Sequence, residues 1–472
     1  MKKFYGAIIL LLVLGSCVGP KYSEPKTDVA ESYKAYMYDT LVNNADTVLN
    51  LRWWKFFNDA DLDTLIQHAL VYNKDVLMAA SRIEQSEAIL GMTKADQYPG
   101  FNLSAGALFG ETAGTKSTKY NAGIGLNWEL DFWGKYRASS EGARAELLSS
   151  EYGMRSIQMS LISNVAHSYY LILDLENRLD ISNKTKASRD SALQIIDARF
   201  QGGIIPEIDL NQAQINLAIA EGAVPLYERQ LAIAKNSLAV LLGEKPRSII
   251  PIHQKLDSVE LLVDIPYGIP STLLLRRPDI LASREAYHAQ FKQINVAVAQ
   301  RLPSISITGM FGAASTALGN LSASGMAWSA GAGLLSPIFE FGKNKRRVDM
   351  QRAKAKEMLY QYENTINLSF LEVENALVSI QTLKIEMQAK QRQADAAMNA
   401  ERLSKMRYDK GAASYLEVLD NQRSSFEAQL GLSQIKQSLL SAYLDLYKAL
   451  GGGWLSAEEE EQAKNDEQAK KK

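Results

Sequence analysis

A proline-free stretch from Gly134 to Arg199 reads as one continuous helix. It starts directly after an alternating, strand-like run, Tyr120–Phe132, and ends at Gln201-Gly202-Gly203. At 1.5 Å per residue, about 65 residues make a rod of roughly 100 Å. No single globular core of 472 residues is that wide. The pattern then returns at a constant offset of 208 residues. Gly134-Lys135 answers to Gly342-Lys343, Arg199-Phe200 to Arg407-Tyr408, Gly203 to Gly411, Gln214 to Gln422, and Leu242-Gly243 to Leu450-Gly451. One offset held over more than a hundred residues indicates an internal duplication. Length alone suggests two or three domains; the repeat points instead to one elongated body of two similar halves. Each half is a long rod entered from a β-hairpin.

Composition excludes several classes. The formal net charge is −1, which gives no basic field for nucleic acid. His68, His167, His253 and His288 are scattered without metal-ligand spacing, so no metal site is expected. A single cysteine cannot form an intrachain disulfide. Its position is informative. Met1-Lys2-Lys3 is basic, and Ala7–Leu14 is an apolar run too short to span a bilayer as a helix. Leu14-Gly15-Ser16-Cys17 then has the form of a bacterial lipobox. The alternative is a chance cysteine within a secretory signal. With lipidation, residues 1–16 are a signal peptide, the mature chain starts at Cys17, and covalent lipid anchors it. Val18 in place of Asp points to the outer membrane of a Gram-negative envelope.

Residues 17–61 read as an anchored arm, with Pro20, Pro25 and the cluster Trp53-Trp54-Lys55-Phe56-Phe57 packing it onto helices. Asp61 is placed to cap a helix from Leu62 to about Gln97. Tyr98-Pro99 ends that helix. Repeat one covers 62–271 and repeat two 272–455; a charge run, 456–472, has no apolar residue beyond alanine and reads as disordered.

Strands are expected at about 98–132 and 303–341. Phe101, Leu103, Ala105, Ala107 and Phe109 alternate with Asn102, Ser104, Gly106 and Leu108. After a polar loop, Glu111–Lys119, residues Tyr120, Ala122, Ile124, Leu126, Trp128, Leu130 and Phe132 alternate with small or polar ones. In the second half Ile305, Ile307 and Phe311, then Trp328, Ala330, Ala332 and Leu334, do the same around a loop, Ala313–Gly325. Gly123-Ile124-Gly125 and Gly331-Ala332-Gly333 complete no nucleotide-binding motif. Strands of this length, apolar on one face and small or polar on the other, suit a membrane barrel. Four strands cannot close, and lipid tolerates no open edge, so copies must share a barrel. Two copies give eight strands, which side chains fill; three give twelve, which leaves a pore.

The helices add up in the same way. A descending rod, 134–199, is balanced by 206–243 and 272–300; a second, 342–409, by 414–450 and 62–97. The proline-rich segment 243–271 connects them at mid-height. Ile366, Phe370, Val373, Leu377, Ile380, Leu383 and Met387 recur at close to coiled-coil spacing.

With the lipobox, the Trp-Trp cluster, Arg276-Arg277-Pro278-Asp279, Pro303-Ser304-Ile305-Ser306 and Glu417-Val418-Leu419-Asp420-Asn421-Gln422-Arg423, the chain resembles the TolC-type outer-membrane efflux factors, in the OprM/CusC/NodT lipoprotein branch. The resemblance runs from Cys17 to Trp454. It implies an α+β membrane protein: a long α-helical coiled-coil barrel plus a transmembrane β-barrel, shared by a trimer with four strands per chain. It implies as partners a periplasmic membrane-fusion adaptor, an inner-membrane pump of the RND type, and outer-membrane lipid. The family's acidic gate pair maps onto Glu417 and Asp420, the first being Glu where the family has Asp, and its latch tyrosine onto Tyr408. Their counterparts across the repeat are Asp209, Gln212 and Phe200; Phe200 lacks a hydroxyl, so any latch is asymmetric. Three copies of Glu417 and Asp420 at a narrow end would crowd like charge and draw in cations. The plainer alternative is solvated residues at a helix start. Gly203 and Gly411 mark the tips for adaptor docking, or are simply glycines that a turn requires.

The resulting expectation is a passive efflux duct for drugs, toxic compounds or metal ions, without cofactor beyond the lipid on Cys17. No catalytic constellation stands out, so an enzyme is not expected. A type I protein-secretion channel is the mechanistic rival; a structural coiled-coil lipoprotein is the rival of another class.

Overall fold

The computed structural model describes residues 19–25, 59–112, 115–246, 252–259, 277–321 and 326–452. Cys17 and the signal segment, the Trp53-Trp54 cluster with most of the arm, Arg276, most of the 243–271 connector and the 456–472 tail lie outside them. The element order is α1 (Ala60–Tyr72), α2 (Lys74–Ala95), β1 (Gly100–Thr112), β2 (Thr115–Leu130), α3 (Lys135–Gln201), α4 (Glu207–Leu241), α5 (Pro278–Ala299), β3 (Ser304–Ser315), β4 (Met326–Leu335), α6 (Lys343–Asp409) and α7 (Tyr415–Ala449). Short 3-10 turns occur at Leu256–Ser258 and Leu318–Asn320. None of the described helices is long and apolar enough to cross a membrane.

The duplication is explicit. Helices α3 and α6 each have 67 residues and α4 and α7 each have 35, with matching starts 208 apart. Glycines with left-handed backbone recur in the same pairs: Gly134 and Gly342, Gly203 and Gly411, Gly243 and Gly451.

Two compact units form. The first comprises Met1–Asp28, Ala80–Gly153 and Asp279–Thr365. It contains a four-stranded antiparallel sheet in sequence order, β1-β2-β3-β4, with β1 and β4 as its edges. The register sets Leu103 opposite Ile124, Ile124 opposite Phe311, and Phe311 opposite Trp328, so one apolar row crosses all four strands. All four residues of that row are exposed. On the other face Asn102 pairs with Gly125, and Ser104 with Gly123. Gly123 sits opposite Gly312, where a Cβ on Gly312 would lie 2.2 Å from the Ala122 carbonyl oxygen. The glycines of the alternating run therefore permit backbone approach within the sheet. At its base Trp133 Nε1 donates to the Pro303 carbonyl at 2.7 Å, and the Asp131 carboxylate accepts from the Tyr136 and Arg137 amides at 2.9 Å, capping α3.

The second unit comprises Val29–Ala79, Met154–Pro278 and Ile366–Lys472. Its core packs α3 residues Val165, Ala166, Tyr169, Tyr170 and Leu173 against Leu62 and Ile66 of α1, Leu238 of α4 and Leu439 and Leu444 of α7. The seam expected on α6 is present: Ile366 is buried, Val373, Leu377 and Ile380 are buried in this core, and Phe370, Leu383 and Met387 pack against it. Arg277, from the Arg-Arg-Pro-Asp motif, is buried and reaches Glu372 at 2.7 Å and the Ala449 carbonyl at 2.9 Å.

Several boundaries differ from expectation. The 62–97 helix is two helices. Asn73 breaks it: its backbone is extended, its Oδ1 accepts from the Asp75 and Val76 amides, and its Nδ2 donates to the Leu241 carbonyl. The cap of α1 is Asp59, not Asp61; Asp61 instead accepts from the His253 amide at 2.6 Å. The polar loop 111–119 is mostly strand, since pairing continues to Thr112 opposite Thr115. The described helix α5 starts at Pro278, a first-turn position that needs no amide hydrogen, and residues 272–276 of the helix expected from Thr272 lie outside the described residues.

Candidate functional site

The two helix hairpins of the second unit each turn through a left-handed glycine. At the first turn Ile204 N–H donates to the Arg199 carbonyl at 2.9 Å, and Gly203 has φ +71. At the second Ala412 N–H donates to the Arg407 carbonyl at 2.8 Å, and Gly411 has φ +73. Both close their helices in the same six-residue loop, which an L side chain adopts only under strain. Helix α7 then starts from Ser414, whose hydroxyl accepts from the Glu417 amide at 3.3 Å.

Around these turns a small core holds Ile196, Leu210, Ala213, Tyr415, Val418 and Leu419, with Phe200 and Tyr408 packed against it. Tyr408 meets the Tyr415 ring at 5.3 Å and lies under the Arg199 guanidinium at 5.2 Å. Burial pushes the Tyr415 phenol up to about 12, with Tyr408 and Asp209 adding to the rise. So the structure gathers Tyr408 and Tyr415, which flank the second turn, with Asp209 of the first hairpin. The two acids are not bare. Arg407 Nη1 donates to Glu417 at 2.7 Å, with its Nη2 on the Ala412 carbonyl, and Arg423 pairs with Asp420. Gln212 is half-buried and its side-chain oxygen is buried without a hydrogen-bond partner.

Further along the hairpins Arg189 of α3 is 3% exposed. It donates to the carbonyls of Asn216 on α4 and Gln422 on α7, and sits 5.1 Å from the Phe426 ring. Asn216 Nδ2 donates to Gln422 Oε1 at 2.9 Å, so one polar knot ties three helices. Burial lowers the Arg189 pKa, Arg423 lowers it further, and Glu401 opposes the change. Sequence pattern does not single out Arg189, because its counterpart 208 residues later is Ala397. Arg407 and Arg423 carried a signal, since both stand inside the repeated or quoted motifs.

A Ser–His–Asp contact also exists: His167 Nδ1 lies 3.2 Å from Ser441 Oγ and Nε2 lies 2.9 Å from Asp445. Ser441 is in mid-helix, where neighbouring amides are used by the helix and none is left to stabilise an oxyanion. The contact joins α3 to α7 and offers no acyl-transfer geometry.

The model for the family described as outer membrane efflux protein matches residues 65–244 and again 269–452, one match per repeat. The Cation efflux system protein CusC of Escherichia coli O6:H1 is 32% identical, covering 94% of this chain and 97% of that protein. The Toluene efflux pump outer membrane protein TtgC of Pseudomonas putida is 31% identical, covering 96% of each. Among solved structures, the outer-membrane channel OprN superposes with a TM-score of 0.86 at 27% identity, covering 93% of this chain and 99% of that one.

Proposed function

This chain belongs to the outer membrane efflux protein family and is an outer-membrane component of an efflux system; we propose that three copies form a passive duct through which small toxic molecules or metal ions leave the cell. The observation that carries the reading is the sheet: four antiparallel strands, two open edges and an exposed apolar row. In lipid each edge must find a partner, and in a closed ring of equivalent copies β4 of one pairs with β1 of the next. Three copies supply twelve strands, enough to leave a pore. The helical hairpins continue the path into the periplasm, and their glycine tips, Gly203 and Gly411, dock a periplasmic adaptor. An inner-membrane pump of the RND type then supplies the energy and selects the cargo. Tyr408, Asp209, Gln212, Glu417 and Asp420 form the gate at that end. Cys17 carries the lipid. The relatives named for cations and for toluene are about equally similar to this chain, so either cargo class is compatible with the duct itself.

Planar-bilayer recording of the purified protein tests this. Stepwise conductance is the expected result. A protein that inserts but never conducts would leave only the scaffold reading.

A further inference from the structure

Arg189 is a buried charge with neutral partners. Its terminal nitrogens donate to the main-chain carbonyls of Asn216 and Gln422, and the Phe426 ring lies 5.1 Å away. Among the described residues it forms no ion pair. A guanidinium keeps its proton at any working pH, and a charge taken out of water costs free energy unless an opposite charge answers it. The two bonds also leave N–H groups unused, Nε among them. Nε is not one of the fully enclosed unbonded atoms, so it opens onto free space.

That space is a cavity of about 560 Å³ lined by α3, α6 and α7 within the second unit, and Arg189 is part of its wall. Small-molecule sites span about 300–1,000 Å³. Buried Gln422 lines the same cavity; its Oε1 accepts from Asn216, which leaves its amide NH₂ to spare. Thr185, one helical turn before Arg189 and on the same face of α3, adds a hydroxyl. Every polar group at this end can donate. Two acids line the cavity as well. Asp180 is taken by Lys184 at 2.7 Å. Glu401 stands across on α6, half-exposed, so water answers its charge. The guanidinium has no such water, and it is the group that needs a counter-ion. Phe426 and Met398 give the cavity an apolar wall beside it.

We propose that this cavity binds a small organic anion, with its carboxylate or phosphate on Arg189 and the Gln422 amide and its apolar body against Phe426 and Met398. A charge-assisted, two-pronged contact to a planar guanidinium suits either head group. The site is contained in one chain, so it stands or falls independently of the shared duct. An occupant that binds only the folded chain also stabilises it by mass action.

Equilibrium dialysis of the full-length protein in an uncharged detergent tests this, with radiolabelled benzoate and phenyl phosphate as probes at fixed ionic strength. At least one probe should fill a single saturable site per chain, and the tighter of the two assigns the head group. The melting temperature should rise with that probe and level off, while chloride at the same ionic strength leaves it unmoved. Arg189→Met should lose the binding. Glu401→Gln removes the opposing charge from the far wall and should bind the probe several-fold more tightly. Binding that survives in Arg189→Met, a melting shift that chloride reproduces, or a parent chain that takes up neither probe overturns the site and leaves Arg189 as a structural tie. Inorganic phosphate held as tightly as the organic probes overturns the apolar contact, and with it the organic ligand.

Discussion

Arg189 and Asn216 are joined by a 2.6 Å hydrogen bond from the guanidinium to a main-chain carbonyl, in a place where both residues are buried. The carbonyl belongs to a regular helix, so it keeps a partner when the arginine is removed. What is lost is the tie between α3, α4 and α7 and the packing on Phe426. Arg189→Met keeps most of the volume and should cost about 1–2 kcal/mol. Arg189→Ala leaves a cavity as well and should cost about 3 kcal/mol. Thermal unfolding of the purified variants checks the order; a Met variant less stable than the Ala variant would contradict it.

Glu417 and Asp420 each face an arginine of their own chain, Arg407 and Arg423. Removing both acids leaves those arginines unopposed at the tip. Glu417→Ala with Asp420→Ala should therefore do more than weaken a preference for cations: the reversal potential in asymmetric salt should move toward anion selectivity. Both carboxylates are solvent-accessible, so the shift should be largest at low ionic strength. Unchanged selectivity would place the acids away from the conducting path.

Tyr415 gives a pH dependence with a definite sign. Its folded pKa is raised from 10.0 to about 12, so the folded state holds its proton where the unfolded chain has lost it. Its contribution is complete below pH 10 and disappears as pH climbs toward 12. Each pKa unit corresponds to about 1.4 kcal/mol, so the loss should be on the order of 2 kcal/mol. Tyr415→Phe removes the ionisation and should flatten this limb in denaturation measured between those pH values.

Much of the fold could be read from the repeat alone. The pairs Gly134 with Gly342, Gly203 with Gly411 and Gly243 with Gly451 located both hairpins because a left-handed turn restricts residue choice. Strand alternation was equally legible, and Leu103, Ile124, Phe311 and Trp328 lie on one face as it required; that they form one row is set by the register, which the alternation does not fix. Asn73 was not legible as a break, because it sits among good helix formers and its effect comes from a distant carbonyl, that of Leu241. The acids at the tip were legible through their motif, and Arg407 and Arg423 stand in quoted motifs too; their pairing with the acids was not legible, since Arg407 and Glu417 meet only once the turn between them is folded. Arg189 left no trace because nothing across the repeat matches it.

Gly411 separates turn geometry from docking. Its φ of +73 strains any L side chain, while an added Cβ would meet nothing within 4 Å. Gly411→Ala should thus cost about 1 kcal/mol in stability, with no clash. Any larger effect on capture of a periplasmic adaptor hairpin by the intact channel would come from the surface itself. Parallel melting and binding titrations of Gly203→Ala and Gly411→Ala measure the two separately. Adaptor affinity unchanged in both variants would remove the tips from the docking surface.

The proposed lipid on Cys17 can be tested by mass, and residues 19–25, just after it, have a defined place in the fold. Tyr22 stacks on His288 at 4.0 Å, Glu24 pairs with Arg284 at 3.0 Å, and Gly19 lies against Asn295. Residues 19–25 thus run antiparallel along α5, in the unit that carries the sheet, with Gly19 toward the end of α5 that leads into β3. A lipid two residues before Gly19 would leave the protein near a fixed point on that unit. Acyl chains contribute about 0.8 kcal/mol per buried CH₂, so two or three chains anchor firmly. Intact mass of the protein from membranes should fit a chain starting at Cys17 plus acyl groups, and Cys17→Ala should lose that added mass. A chain that keeps residues 1–16, or starts at Cys17 without added mass, would exclude the anchor while leaving the duct untouched.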